Sequence, residues 1–556
     1  MPNPNQLSSR LKKLAGLVLL LVQAAGSWAQ PGVAQLNLPY FRAELDSIRI
    51  RLKIPAMAVA LRQGDSLVLA EGLGYADLER QLRATPQTSF RVASITKTFT
   101  STLLMQLVEA GKIRLNTPIA HYGLSFGNPR IQVQHLLTHT SEGEPGTYFH
   151  YDGYRYGRLG PIIEQAAGLP FYQLLMERIV HPLGMSSTAP GISLAAYFPY
   201  VSQRPELRPN FELAFTRLAK PYALDVRGTV TPTNNLDEFG AFGGLATTVL
   251  DLLTYSAAID RHQFVSAATQ LTIFTPNKTT TGQPTPYGLG WYVQRYQGLD
   301  YYWHFGQTRG ESGLLVKVPA RQLTLVVLAN TDQLSQPFPL GDGDLFTSPV
   351  GQLLYKYWLN EDPAFKPVNY QLALPQLRTQ LTSLQEEPHR AFVAKELISQ
   401  ASMALVQGDS LRTHQLYGLY PLLADKPKKT VPMGTTVAVL ERVGVEQNRT
   451  QAFTLTRPTR VRIYGVGENC SADGSSWCDY GWIEDSAGRR PWQMVGQPTQ
   501  AAGGATKNQR VDQMLTLPAG RYRLRYSSDG GHAYNHWDSA PPADFFWGIK
   551  VLKAGP

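Results

Sequence analysis

"RVASITKTFT" occupies residues 91–100 and sets Ser94 three positions ahead of Lys97, where a segment of helical periodicity begins. In "TKTFTSTLLMQLVEAG" (96–111), Phe99, Leu103, Leu107 and Val108 recur on one face and Gly111 offers a stop. On a helix, side chains three positions apart are neighbours, about 5–6 Å between Cβ atoms. A serine hydroxyl is a weak nucleophile until a base accepts its proton. Lysine is such a base only when neutral, and burial against an apolar face lowers its pKa. The free N–H groups at a helix start favour a developing oxyanion. The spacing by itself fits a helix cap with an exposed lysine better than a catalytic pair, and a second Ser-x-x-Lys runs from Ser9 to Lys12.

The chain has 556 residues, so about two to four domains are expected. With 43% hydrophobic and 17% charged residues, the composition excludes general disorder and collagen-like repeats. Arg10, Lys12 and Lys13 precede the apolar "LAGLVLLLVQAAG" (14–26), and "SWAQ" (27–30) places small residues around a cut after Ala29. This is the pattern of a secretory signal, and the apolar run is too short for a bilayer span. No cysteine follows the cut, which argues against a lipid anchor. The expectation is a periplasmic or secreted protein with no integral membrane segment once residues 1–29 are removed.

The formal charge is +10; the leader holds three basic groups and no acidic one, leaving +7. There is no Lys/Arg block and no nucleic-acid motif, so no nucleic-acid partner is expected, only weak attraction to an anionic envelope. The two cysteines, Cys470 and Cys478, flank seven residues rich in Gly, Ser and Asp. Export favours a disulfide between them. Two ligands without a nearby histidine pair do not make a zinc site, and no metal is expected there.

Residues 30–362 alternate strand and helix patterns. "AMAVALRQGDSLVLAEGLGYA" (56–76) reads as a hairpin turning at Gly64-Asp65. "YGLGWYVQRY" (287–296), "YYWHFG" (301–306), "SGLLVKV" (312–318) and "LTLVVLANT" (323–331) are spaced as a meander, and "PVGQLLYKYWL" (349–359) as a closing helix. Strands at both ends and helices between predict one sheet built from both termini. Residues 363–430 read as a helical linker, including "RAFVAKELISQASMALVQG" (390–408) and ending in "DKPKKTVP" (425–432). Residues 431–556 carry short alternating runs and read as a β-sandwich.

The segment "TPQTSFRVASITKTFTSTLLMQLVEAGKIRLNTPI" resembles the serine β-lactamase and penicillin-binding-protein superfamily, in its class C-related esterase and D-aminopeptidase branch. Four further segments match in order: residues 133–185, "GGLATTVLDLLTYSAAI" (243–259), "YGLGW" (287–291) and "HFGQTRGESGLLVKVPARQLTLVVLAN" (304–330). The resemblance implies an α/β sheet with a helical region and a serine acyl-enzyme mechanism without cofactor. It makes Ser94 the nucleophile, with Lys97 beside it, and Tyr151 a phenol of lowered pKa that shuttles the proton. It places His304 facing the pocket, Gly306 where the substrate backbone approaches, and the N–H of Gln307 with that of Ser94 as the oxyanion hole. Where the family has Asn two positions after the tyrosine, this chain has Gly153, which shifts the expected substrate from penicillins toward esters or D-amino-acid amides and peptides. Asp152 or Arg155 are candidates to replace the missing amide. The rival reading is an impaired penicillin-binding-like protein that binds cell wall or ligand.

Other patterns mimic sites. His135 and His139 in "HLLTH" have zinc-helix spacing, but the expected glutamate is missing. "GDSL" occurs at 64–67 and 408–411, on a hairpin and after a helix rather than at a strand–loop–helix. Tyr534, Trp537 and Trp547 offer a glycan platform in the sandwich, against a core role for the same aromatics.

Overall fold

A computed structural model of the chain describes residues 34–553, except 192, 226, 235–238, 363–364, 385–388, 424–434, 471–475, 503–506, 531, 535–541 and 543–545. The leader with its cut at Ala29, the "DKPKKTVP" boundary and Trp537 lie outside the described residues.

Seven antiparallel strands form the central sheet: β1 (Ala56–Gln63), β2 (Ser66–Asp77), β3 (Leu82–Arg83), β4 (Tyr292–Tyr296), β5 (Leu299–Thr308), β6 (Glu311–Val318) and β7 (Leu323–Ala329). Their order is β3-β2-β1-β7-β6-β5-β4. The N-terminal hairpin is closed by Gly64 in the left-handed region, φ 57°, as the Gly-Asp turn predicts. β1 pairs with β7 from Met57↔Ala329 to Gln63↔Leu323, so both ends of the sequence build one sheet.

Both faces of this sheet are covered, which explains the unbroken apolar run of β1. Ala58 and Ala60 face a core shared with Ile95, Phe99, Leu103, Leu252 and Tyr255 of the inserted helical region. Met57, Val59 and Leu61 face the opposite core, with Phe41, Leu45 and Ile48 of the N-terminal helix (Ala34–Arg51), Leu52 just after it, and Val350, Leu353 and Leu354 of the closing helix. The strand period of two sorts the residues between the layers.

One expected strand is shorter than its pattern. In "YGLGWYVQRY" only Tyr292–Tyr296 joins the ladder. Gly290 has φ 89°, and a Cβ there would lie 2.4 Å from Ser101 Cβ; one on Gly288 would lie 2.3 Å from the Ile273 carbonyl. Close approach to the helical layer, not strand pairing, governs these glycines.

Beyond the closing helix, a helix over His389–Gln407 places Phe392 and Met403 in the core beneath the central sheet. Its Val393, Leu397 and Ala401 join a separate core with Leu377 and Leu381. Further along, two antiparallel sheets of five and four strands pack as a sandwich. Val461, Ile463, Ile549 and Val551 of one meet Ile483, Leu524 and Tyr526 of the other. Cys470 and Cys478 are joined by a disulfide, Cα–Cα 5.8 Å. Trp547 does not belong to a surface platform: it is fully buried and donates Nε1–H to Asp479 Oδ2 at 2.8 Å. An indole needs a partner for its N–H when buried, and the Asp479 carboxylate supplies it.

Candidate active site

The segment carrying Ser94 is held from two sides. The short strand Phe90–Arg91 pairs with Leu245–Thr247, and Val92 N–H donates to the Leu245 carbonyl at 2.9 Å. Ala93 then takes φ 41°, left-handed for a residue with a side chain. A 3-10 turn over Ala93–Ile95 leads into the helix Thr96–Glu109, so Ser94 sits two residues ahead of the predicted start at Thr96, on the turn rather than within the helix.

Lys97 is 1% exposed, and its Nζ lies 2.8 Å from Ser94 Oγ and 2.8 Å from the Phe242 carbonyl. Burial pushes this amine down to about 7, with the Asp152 carboxylate partly opposing the shift. The Phe242 carbonyl is presented by a tight turn in which the backbones of Gly240 and Gly243 bond to each other at 3.0 and 3.2 Å. Nothing near Ser94 in the sequence announces this partner.

Tyr151 lines the same cavity, with its ring centroid 5.2 Å from Lys97 Nζ. Its hydroxyl is buried without a well-formed hydrogen bond, and burial raises the phenol above its ordinary value, the Ser94 hydroxyl offsetting part of the rise. The expected lowered pKa is therefore corrected. A lysine held near neutrality offers little positive field, and desolvation of the phenolate dominates.

Gly153 opens the short helix Gly153–Gly157, which Asp152 caps by accepting from Arg155 N–H at 3.0 Å. Arg155 Nη1 donates to the Ser141 carbonyl at 2.9 Å. The two candidate replacements for the missing amide are thus committed to the loop. A Cβ on Gly153 would meet only Lys97 Nζ, at 3.7 Å, so the space above the amine is open.

His304 does not face the cavity. It is fully buried behind Tyr151, Tyr287 and Tyr292, at ring distances of 6.2, 5.8 and 5.5 Å. Its Nδ1–H donates to the Phe305 carbonyl at 2.6 Å, and Nε2 accepts from the Tyr287 hydroxyl at 2.8 Å. Burial, with Lys97 adding to it, pushes the imidazole down to about 3, so the ring is neutral. Gly306 is likewise reassigned: a Cβ there would lie 2.2 Å from the Val92 carbonyl. The glycine admits the protein's own backbone beside Ser94, and it is absent from the cavity wall.

The cavity measures about 510 Å³ and brings together Ser94, Lys97, Tyr151, Gly153 and Gln307. Among the wall residues that sequence reading missed are Arg91, Tyr154, Arg158 and Glu311. Arg91 and Glu311 form an ion pair at 3.2 Å, with side chains 4% and 6% exposed. Sequence reading also missed a support. His139, with φ 54°, accepts from Asp152 N–H at 3.1 Å and lies 4.3 Å from the Tyr151 ring. His135 accepts from Gln132 N–H at 3.1 Å, so each imidazole of "HLLTH" serves the local backbone.

Several known proteins share parts of this chain. The D-aminopeptidase of Gluconobacter oxydans is 26% identical over 322 residues, covering 52% of this chain and 58% of its own length. The D-aminopeptidase of Brucella canis is 25% identical over 310 residues, covering 50% and 56%. The chain thus spans less than three fifths of the length of these relatives. Among solved structures, the octameric penicillin-binding protein homologue from Pyrococcus abyssi aligns with TM-score 0.46 and 24% identity, over 53% of this chain and 74% of that one. The Beta-lactamase family model matches residues 41–343, more than half of the chain and every segment that lines the cavity. This protein belongs to the β-lactamase family.

Proposed function

We propose that this protein is an exported serine hydrolase that cleaves an ester or amide through an acyl-Ser94 intermediate. The observation that carries the reading is the 2.8 Å contact between Ser94 Oγ and a buried Lys97 whose pKa is pushed down to about 7. Near neutral pH about half of such an amine is unprotonated and able to accept the serine proton.

In this reading neutral Lys97 takes the Ser94 proton while Oγ bonds to the substrate carbonyl carbon. The oxyanion lies under the N–H groups of Ser94 and Gln307. Tyr151, still protonated, donates its hydroxyl proton to the leaving oxygen or nitrogen as the scissile bond breaks, and recovers a proton from the Lys97 ammonium. Water then attacks the acyl-enzyme with Lys97 again as base, returning Ser94 and a carboxylic acid. His304 and Gly306 act here as supports for the Tyr151 and Ser94 segments.

The open space over Gly153 supports esters and D-amino-acid amides or peptides as substrates, and the D-aminopeptidase relatives support the amide side of that pair. The leader pattern and the Cys470–Cys478 disulfide support export. Domain limits of 30–362, 363–430 and 431–556 belong to the same reading.

The test is covalent labelling and turnover. Incubation with a fluorophosphonate should add its mass to Ser94, and p-nitrophenyl esters or D-alanyl p-nitroanilide should be hydrolysed. Ser94→Ala should abolish both at an unchanged melting temperature. Turnover by that variant at the wild-type rate would overturn the assignment.

A further inference from the structure

The cavity wall has two charged features besides Lys97, and they differ. On one side Arg91 and Glu311 neutralise each other as a buried ion pair at 3.2 Å. On the other, Arg158 stands at the junction of the helices Gly153–Gly157 and Leu159–Ala167. Its guanidinium stacks over the Tyr154 ring at 4.6 Å and donates to the Tyr154 hydroxyl. No carboxylate among the described residues lies within ion-pair reach of it, and Tyr154 is 65% exposed, so the pair stands at the mouth. The adjoining wall is Gly157 and Phe242; a Cβ on Gly157 would lie 3.1 Å from the Phe242 ring.

A guanidinium that is stacked and half-buried, yet lacks an acidic partner among the described residues, keeps its donors in a fixed plane at the cavity wall. An anionic group arriving there gains a charge-assisted, often bidentate bond and displaces only weakly held water. The one wall carboxylate among the described residues, Glu311, is already held by Arg91, and Asp152 behind the wall is engaged as a helix cap. We infer that Arg158 is a specificity residue that selects substrates carrying a carboxylate or other anionic group able to reach the cavity mouth. The inference rests on the hydrolase reading above. The anion has two possible sources, the acyl part of the substrate or its leaving group.

The experiment compares matched esters: p-nitrophenyl butyrate against mono-p-nitrophenyl glutarate for an anionic acyl part, and phenyl acetate against 4-acetoxybenzoate for an anionic leaving group. The readout is the ratio of kcat/KM for the anionic ester to that for its neutral partner. Arg158→Gln should lower this ratio about tenfold for one pair, and Arg158→Lys by less, because it keeps the charge but loses the planar fork. Raising the salt concentration should lower the wild-type ratio in the same pair. Unchanged ratios in both pairs overturn the proposal.

Binding to a Ser94→Ala background separates the two claims. There the affinity for mono-p-nitrophenyl glutarate or 4-acetoxybenzoate should weaken about tenfold when Arg158→Gln is added. Such weakening, when the wild-type protein turns over no ester or amide, overturns the hydrolase reading and leaves the anion subsite. Turnover with ratios and affinities indifferent to Arg158 overturns the subsite alone.

Discussion

Two buried lysines, Lys97 in the helix Thr96–Glu109 and Lys317 on β6, have settings that differ in kind. Lys97 and Lys317 are 1% and 2% exposed, and burial pushes their amines down to about 7 and about 8. Lys317 is held by a carboxylate: its Nζ lies 2.8 Å from Asp260 Oδ1, and it also donates to Ser256. Arg62 pairs with the same Asp260. Among the described residues no carboxylate lies within ion-pair distance of Lys97; its partners are a hydroxyl and a carbonyl. A lowered pKa is therefore not a functional signature by itself. Lys317 is an ammonium anchored in a charge network, whereas Lys97 is left where losing its proton costs little and where a serine hydroxyl stands next to it.

Exchanging each amine for an apolar side chain should break the comparison most sharply. Lys97→Met should reduce turnover of a neutral p-nitrophenyl ester by about 10²–10⁴-fold, the usual worth of a positioned base. It should do so with an unchanged or higher melting temperature, because it removes a desolvated amine. Lys317→Met should keep turnover within about twofold of wild type, since it touches no group of the cavity. Equal losses in the two variants, by initial rates, would erase the distinction.

The next effect is in pH. If neutral Lys97 is the base, kcat/KM for a neutral ester rises about tenfold per unit up to about pH 7 and then levels. Its stability signature has a definite sign. The unfolded lysine holds its proton up to about 10.5, so between about 7 and 10.5 the unfolded chain binds more protons and wild-type stability rises with pH. The cost of the buried ammonium is fully present below that window. Lys97→Met should flatten this slope in chemical denaturation at pH 7, 8 and 9.

A smaller effect belongs to the structural lysine. Asp260→Ala removes the carboxylate and strands a buried ammonium. A fully enclosed pair broken this way loses about 3–5 kcal/mol, but Asp260 is 39% exposed, so about 1–2 kcal/mol is expected. Chemical denaturation at pH 7 measures it, and turnover should persist.

The sequence made local relations visible and left distant ones hidden. The hairpin at Gly64, the apolar face of the helix after Ser94 and the Ser94–Lys97 pairing all follow from spacings of a few residues. The Phe242 carbonyl lies 145 positions from Lys97 and is a backbone group, so no residue type marks it. His304 is assigned to the cavity because its segment matches a strand motif of the family. The motif does not say that three tyrosines cover the ring, and only the packed aromatic layer does. The Tyr151 phenol was misjudged because a nearby amine was weighed and burial was not. Arg158 was overlooked because an arginine beside "LGPII" looks like the polar edge of an amphipathic helix until its lack of an acidic partner is seen in three dimensions.

The last prediction returns to Lys97 and asks how finely its setting is tuned. Gly153 needs no left-handed backbone, and a Cβ there meets only Lys97 Nζ at 3.7 Å, so Gly153→Asn should fold normally. The new amide would stand over the amine, and its carbonyl oxygen would accept from the ammonium better than from the neutral form. A hydrogen bond to the charged form raises a lysine pKa. The acid limb of kcat/KM should therefore move up by about half a pH unit, a factor of about three in rate near neutrality. The same side chain fills space that a substrate would otherwise occupy, so the ratio of ester to anilide turnover should change as well. A limb that stays in place with an altered ratio would mean that the amide meets substrate and not lysine. A limb that moves with an unaltered ratio would mean that Gly153 keeps the base weak and plays no part in choosing what is cleaved.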